Sequence, residues 1–167
     1  AMRDGAGGEA VAAAMELLIR YGNALGAERL VETDNVAGAF NASTPSVRKI
    51  AHNGKFDALV LGEEGIALKG LDADVVLGAY VLGAKMLNIQ GQAFERLGVE
   101  IPPSTDLTGT GAKAITMAQA PIDKTAEYAS ADADVTGQLK PIFEREVLEK
   151  GGDRAMDSVE MPLVPVL

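Results

Sequence analysis

Cysteine is absent from this 167-residue chain, so it can form neither disulfides nor thiolate metal sites. That excludes a small secreted scaffold stapled by disulfides and fits a reducing cytoplasm. Tryptophan is also absent, aromatic residues make up only 4% of the sequence, and His52 is the only histidine. No apolar run approaches the roughly 20 residues that a membrane-spanning helix needs, and no secretory leader pattern opens the chain. Basic side chains are outnumbered, with 15 Lys and Arg against 24 Asp and Glu, for a formal charge of −9. Such a chain gains nothing from counterion release, which argues against free-standing, tight, non-specific duplex binding. An acidic site that reaches nucleic acid through bound metal, presented by a larger basic partner, stays compatible with that charge.

What is present is apolar and small. Apolar residues reach 47%, and Ala, Leu, Val and Gly must build the core, which suits helices packed on a sheet. The length predicts one domain. Glu9 to Leu25 reads as a helix with acid at its start and Arg20 near its end, stopped by Gly26. Arg29-Leu-Val-Glu-Thr33 reads as a short strand, and Ser43-Thr-Pro-Ser-Val47 as a turn. A buried strand over Val47 to Ala51 follows, then a helix from Asn53 to Glu64 ended by Gly65, then a strand over Ile66 to Leu71. Helices are predicted from Asp74 to Leu82 and from Asn88 to Leu97, the second stopped by Gly98. Pro102 to Ala114 is loop by composition, and Thr116 to Gln119 a connector. Ile122 to Lys150 carries a long helical pattern in which Pro141 predicts a kink or break. Gly151-Gly152 ends it, and Ser158 to Leu167 begins a helix interrupted by two prolines. Helices alternating with a few short strands predict an α/β or α+β layered fold.

Two of the helical segments place a polar pair four residues apart: Asn53 with Asp57, and Tyr128 with Asp132. Such residues share a helix face, so each helix can aim a carboxylate and a partner at one point. Two facing helices of this kind could hold a divalent metal against a phosphodiester. Each residue also has a plainer reading. Asp57 and Asp132 are by default solvated helix carboxylates, Asn53 a helix N-cap, and His52 a packed or hydrogen-bonded residue. Asp134 lies on a different face from Asp132 and is expected to be exposed. Gly109-Thr-Gly-Ala-Lys113 lacks the spacing of a phosphate-binding loop and reads as a mobile loop.

Taken in order, several segments resemble the 3′→5′ exonuclease (proofreading) domains of bacterial family A DNA polymerases. Lys49-Ile-Ala-His-Asn-Gly-Lys-Phe-Asp57-Ala-Leu-Val-Leu61 resembles the second exonuclease motif, and Tyr128-Ala-Ser-Ala-Asp-Ala-Asp-Val-Thr136 the third. Gly70-Leu-Asp-Ala-Asp74, Ala79-Tyr-Val-Leu82, Ala93-Phe-Glu-Arg-Leu-Gly98 and Ile115-Thr-Met-Ala-Gln119 fall between them at matching spacing. Val159-Glu-Met-Pro-Leu-Val-Pro-Val-Leu167 resembles the lead into a polymerase thumb. This divides the chain into a divergent segment over residues 1–44, an exonuclease-like domain over 45–157, and a connection beginning over 158–167.

The resemblance implies an RNase-H-like fold of the DEDD exonuclease superfamily: an α/β domain with a mixed sheet flanked by helices, here helix-rich and short of some early strands. It implies metal-dependent hydrolysis of the terminal phosphodiester of a DNA primer strand, with four carboxylates holding two Mg²⁺ or Mn²⁺ ions. Two such ions about 4 Å apart activate water and stabilise the leaving oxygen. Carried over by position, Asp57 and Asp132 become metal ligands, Tyr128 orients the attacking water, and Asn53 lies beside the substrate strand. Asp74 has a family counterpart that the motif does not make a ligand. The implied partners are a single-stranded DNA 3′ end and the rest of a polymerase polypeptide in the bacterial cytoplasm, with no membrane.

One departure bears on activity. The family's first motif, Asp-x-Glu on an early strand, does not occur upstream of Asp57, and Val31-Glu32-Thr33-Asp34 is the nearest approximation. With Asp57 and Asp132 alone, two ions would share two protein carboxylates, so two-metal catalysis calls on Glu32 or Asp34 as well. The rival expectation is a catalytically inactive exonuclease-like domain serving as a rigid spacer between polymerase modules.

Overall fold

The computed structural model describes residues 42–63, 67–115 and 119–166. The helix expected over Glu9 to Leu25, the strand at Arg29 to Thr33, the candidate ligands Glu32 and Asp34, and Gly65 lie outside the described residues. The chain divides into two units, Ala1–Asn41 with Ile101–Asp134, and Ala42–Glu100 with Val135–Leu167.

The second unit holds the sheet. Strand β1 (Lys49–Ala51) pairs in parallel with β2 (Leu71–Asp74), in the register Lys49↔Leu71, Ile50↔Ala73 and Ala51↔Asp74, with an irregularity after Lys49. Parallel strands need a crossover, which helix α1 (Gly54–Glu63) supplies. The expected turn at Ser43 to Val47 is present, and the main chain there runs against residues 67–70: Lys69 N–H donates to Ala42 O at 2.7 Å, and Lys49 N–H to Gly70 O at 2.9 Å. Gly70 has φ +72°, and a Cβ there would lie 2.6 Å from the Val47 carbonyl oxygen. Only glycine satisfies both constraints.

Two strand expectations are corrected by this arrangement. Ile66 itself lies outside the described residues; residues 67–70 are not strand and β2 begins at Leu71, because the left-handed Gly70 interrupts an extended run immediately before it. β1 is not buried throughout: Ile50 is 40% exposed, since alternate side chains leave a pleated strand on opposite faces.

Helix α2 (Val75–Val81) follows β2 directly and buries Val75, Gly78 and Ala79. Helix α3 (Ile89–Leu97) begins at Asn88, whose side chain accepts from Gly91 N–H at 2.9 Å, and ends at left-handed Gly98. Both ends lie where local capping chemistry places them. The long helix α4 (Ile122–Glu149) runs unbroken through Pro141. The bond that Pro141 cannot donate belongs to the carbonyl of Gly137, an exposed residue without a side chain, so water can reach that carbonyl. From Val135 onward α4 presents Val135, Leu139, Phe143 and Val147 at four-residue spacing, all buried. Phe143 packs on Gly78, where a Cβ would sit 3.0 Å from the ring. Arg96 on α3 lies 4.5 Å over the Phe143 ring and 3.1 Å from Glu146.

Beyond left-handed Gly151, helical turns run over Asp153–Ala155, Met156–Glu160 and Met161–Leu163, starting earlier than the expected Ser158. Pro162 is accommodated at the start of the last turn, where a missing N–H costs little. In the first unit, the stretch after Ile101 is loop with one helical turn at Thr105–Thr108 and a 3₁₀ turn at Gly111–Lys113, then the opening half of α4. Among the described residues no helix is long and apolar enough to cross a membrane.

Candidate active site

The second-motif residues sit at the carboxyl edge of the strand pair, where both parallel strands run out and helices α1 and α2 begin. In open α/β sheets this edge is where ligands bind. Asn53 closes the turn between β1 and α1 in the left-handed region, φ +74°, the only non-glycine described residue there. Its carbonyl accepts the first helical bonds, from Phe56 N–H at 2.9 Å and Asp57 N–H at 3.4 Å. Gly54 allows close packing here: a Cβ would lie 2.8 Å from Leu71 Cδ2 and 3.1 Å from Ala51 Cβ, so a larger residue would need the Leu71 side chain to shift.

The expected side-chain cap by Asn53 gives way to a different cap. Asp74, 3% exposed, accepts from Asn53 N–H at 3.1 Å, Gly54 N–H at 2.7 Å and Val76 N–H at 2.9 Å. One carboxylate therefore caps α2 and also holds the entry to α1. It accepts at both of its oxygens, which is how a buried carboxylate is made tolerable. Sequence reasoning assigned Asp74 no role. Its available signal was an N-cap aspartate before Val75-Val76; its reach back to Asn53 depends on strand register and leaves no local trace.

Asp57, one turn into α1, is half-buried. Burial first, and the Asp74 charge second, push its carboxyl up from 3.8 to about 6. His52 is structural, as expected: its Nε2 lies 3.0 Å from the Leu87 carbonyl oxygen.

The third-motif pair is on the opening half of α4. Tyr128 and Asp132 lie one helical turn apart on one face, and both are half-buried. Asp134, expected to be exposed, is half-buried as well. The structure thus brings Asn53 and Asp57 together in one unit and Tyr128 and Asp132 together in the other. Among the described residues no group of three or more His, Cys, Asp or Glu is placed to hold a metal ion.

The family model for the 3′-5′ exonuclease matches residues 29–148, so the chain belongs to the 3′-5′ exonuclease domain family of family A DNA polymerases. The matched span takes in Glu32 and Asp34 as well as both motif pairs. The chain is similar to DNA polymerase I of Chloroflexus aurantiacus, at 38% identity over 75% of this chain. It is also similar to DNA polymerase I of Pseudomonas aeruginosa, at 34% over 74%, and of Rhizobium leguminosarum, at 35% over 73%. It spans only 12–14% of the length of these relatives.

Proposed function

We propose that this chain is the 3′→5′ proofreading domain of a DNA polymerase I, with an RNase-H-like framework, and that it hydrolyses the terminal phosphodiester of a frayed primer strand. The observation that supports catalysis is Asp57: a carboxylate at the carboxyl edge of the parallel strands, raised to about 6 by burial and a second acid. A desolvated carboxylate beside another negative charge is the situation a divalent cation relieves. Asp74 has its oxygens engaged by three main-chain amides, which leaves Asp57 as the acid of the pair to meet a cation.

The donor chemistry fits Mg²⁺ or Mn²⁺, hard cations that take oxygen ligands and keep substrate phosphates among them. By the family resemblance, Asp57 and Asp132 would each be metal ligands, with Glu32 and Asp34 the further acids for a second ion. When bound, the cations supply an activated water and neutralise charge on the leaving oxygen. Tyr128 orients that water through its hydroxyl, and Asn53 contacts the strand from the turn before α1. The polymerase polypeptide around the domain delivers the single-stranded 3′ end, which the acidic domain attracts poorly by itself.

A second reading, an inactive spacer domain of the same family, is favoured by the missing Asp-x-Glu upstream of Asp57. Shortening of a single-stranded oligodeoxynucleotide from its 3′ end in Mg²⁺ or Mn²⁺ separates the two. Activity that disappears in both Asp57→Ala and Asp132→Ala is expected. No shortening in either metal, with no Mn²⁺ binding by calorimetry in the presence of a deoxynucleoside monophosphate, leaves the spacer.

A further inference from the structure

Asp74 does more than a helix cap requires. Capping α2 uses one acceptor, the oxygen 2.9 Å from Val76 N–H. The same carboxylate also takes the amides of Asn53 and Gly54, from another element altogether. Those two amides flank the one strained peptide of the site. A non-glycine residue at φ +74° is held there by its surroundings, and such strain collects at functional positions. Since the Asn53 carbonyl accepts from Phe56 and Asp57, the plane of this peptide also sets the first turn of α1. The parallel register Ala51↔Asp74 brings Asp74 level with the end of β1, within reach of the turn that follows.

We propose that Asp74 is a positioning residue for the exonuclease reaction: by clamping the main chain of Asn53 and Gly54, it fixes how Asn53 and Asp57 are presented to the DNA strand. The proposal rests on the functional reading of Asn53 and Asp57 given above. Asp74 touches neither substrate nor metal in this role. It acts through the peptide it holds.

Asp74→Ser separates capping from clamping. The hydroxyl still caps Val76, but it is too short to reach Asn53 and Gly54. Amide hydrogen exchange, thermal unfolding and hydrolysis of a single-stranded oligodeoxynucleotide are measured on the unmodified protein, Asp74→Ser and Asp74→Asn. In the Ser variant, exchange at Asn53 and Gly54 is expected to rise about tenfold or more, with Val76 little changed. Its kcat/KM is expected to fall about 10-fold to 100-fold, the loss of an outer-shell partner, with most of the loss in kcat. Asp74→Asn keeps the shape and one acceptor, so it should fall between the two, and it carries the same reading if the Ser variant does not fold. Unchanged exchange at Asn53 and Gly54 overturns the clamp. Raised exchange with unchanged kcat and KM overturns the positioning role. An unmodified protein that neither binds Mn²⁺ nor shortens the strand sinks the functional reading and the positioning role together, while the exchange data alone still decide the clamp.

Discussion

Asp74 and Asp57 are electrostatically coupled: Asp74 ends β2, Asp57 lies one turn into α1, and burial first and the Asp74 charge second make Asp57 harder to ionise. Asp57 thus binds its proton more tightly folded than unfolded, with its value raised from 3.8 to about 6. Between those two pH values the folded state carries more protons, so stability falls as pH rises through the window, and the penalty is complete above about pH 6. Asp57→Asn removes the penalty. It is expected to stabilise the protein at pH 7 by about 1–2 kcal/mol, after discounting for partial solvent screening. Urea unfolding from pH 4 to pH 7.5 checks this. A variant no more stable at pH 7, with the slope intact, would show that Asp57 is not the source.

Asp132→Ala should abolish hydrolysis on the proposed reading, with little effect on stability, since the carboxylate is half-buried on one face of α4. The loss in kcat should be about 100-fold or more if Asp132 is the ligand proposed above, because removing a ligand costs more than removing its outer-shell support. Single-turnover hydrolysis and a thermal melt on the same preparation test both halves. Hydrolysis at the unmodified rate would remove Asp132 from the mechanism.

Much of the helical framework was legible because helix ends are local chemistry. Asn88 and Gly98 bound α3 as expected, and Asp74 and Leu82 flank α2, since an Asx cap and a left-handed glycine act within a turn of where they stand. β2 was harder to place. Leu-Asp-Ala-Asp has no β-branched residue, and its strand is imposed by pairing with β1. Pro141 reads as a break until the exposed Gly137 is seen four residues earlier. At the site, face-sharing by Tyr128 and Asp132 follows from helix period alone. The Asp74 clamp does not: it joins residues 20 and 21 positions apart through strand register, which no local pattern encodes.

Gly70 should be among the least replaceable residues of the strand-bearing unit. Its Cβ would meet the carbonyl oxygens of Val47 at 2.6 Å and Pro45 at 2.8 Å, both main-chain atoms, and its φ of +72° is strained for any other residue. Gly70→Ala is expected to cost about 2–3 kcal/mol or more by loss of that close approach plus left-handed strain. Gly83→Ala is the control: it shares the left-handed backbone, φ +69°, but a Cβ there meets nothing within 4 Å. It should cost only about 1 kcal/mol. Equal losses in chemical denaturation would mean that the contact with Val47 and Pro45 contributes nothing.

Arg96 ties α3 to the far half of α4 through two contacts, with Phe143 and Glu146, and holds Gln92 on its own helix by a third. Its guanidinium stacks over Phe143, pairs with Glu146 at 3.1 Å, and donates to Oε1 of Gln92, a fully buried side chain whose amide in turn donates to the Met86 carbonyl. The Arg96 side chain is only 11% exposed, so water cannot readily replace it. Arg96→Met keeps the apolar stem but strands the Gln92 oxygen, at about 1–3 kcal/mol, and gives up the ring contact, at about 0.5–2 kcal/mol. The expected loss is about 2–4 kcal/mol. Arg96→Lys should recover little of it, because a point charge on a flexible stem cannot stack on Phe143 and serve both partners at once. Urea unfolding of Arg96→Met, Gln92→Met and the double variant measures the coupling. A double variant whose loss equals the sum of the singles would mean that Gln92 and Arg96 act independently, and the buried relay from Met86 to Glu146 would not exist as a unit.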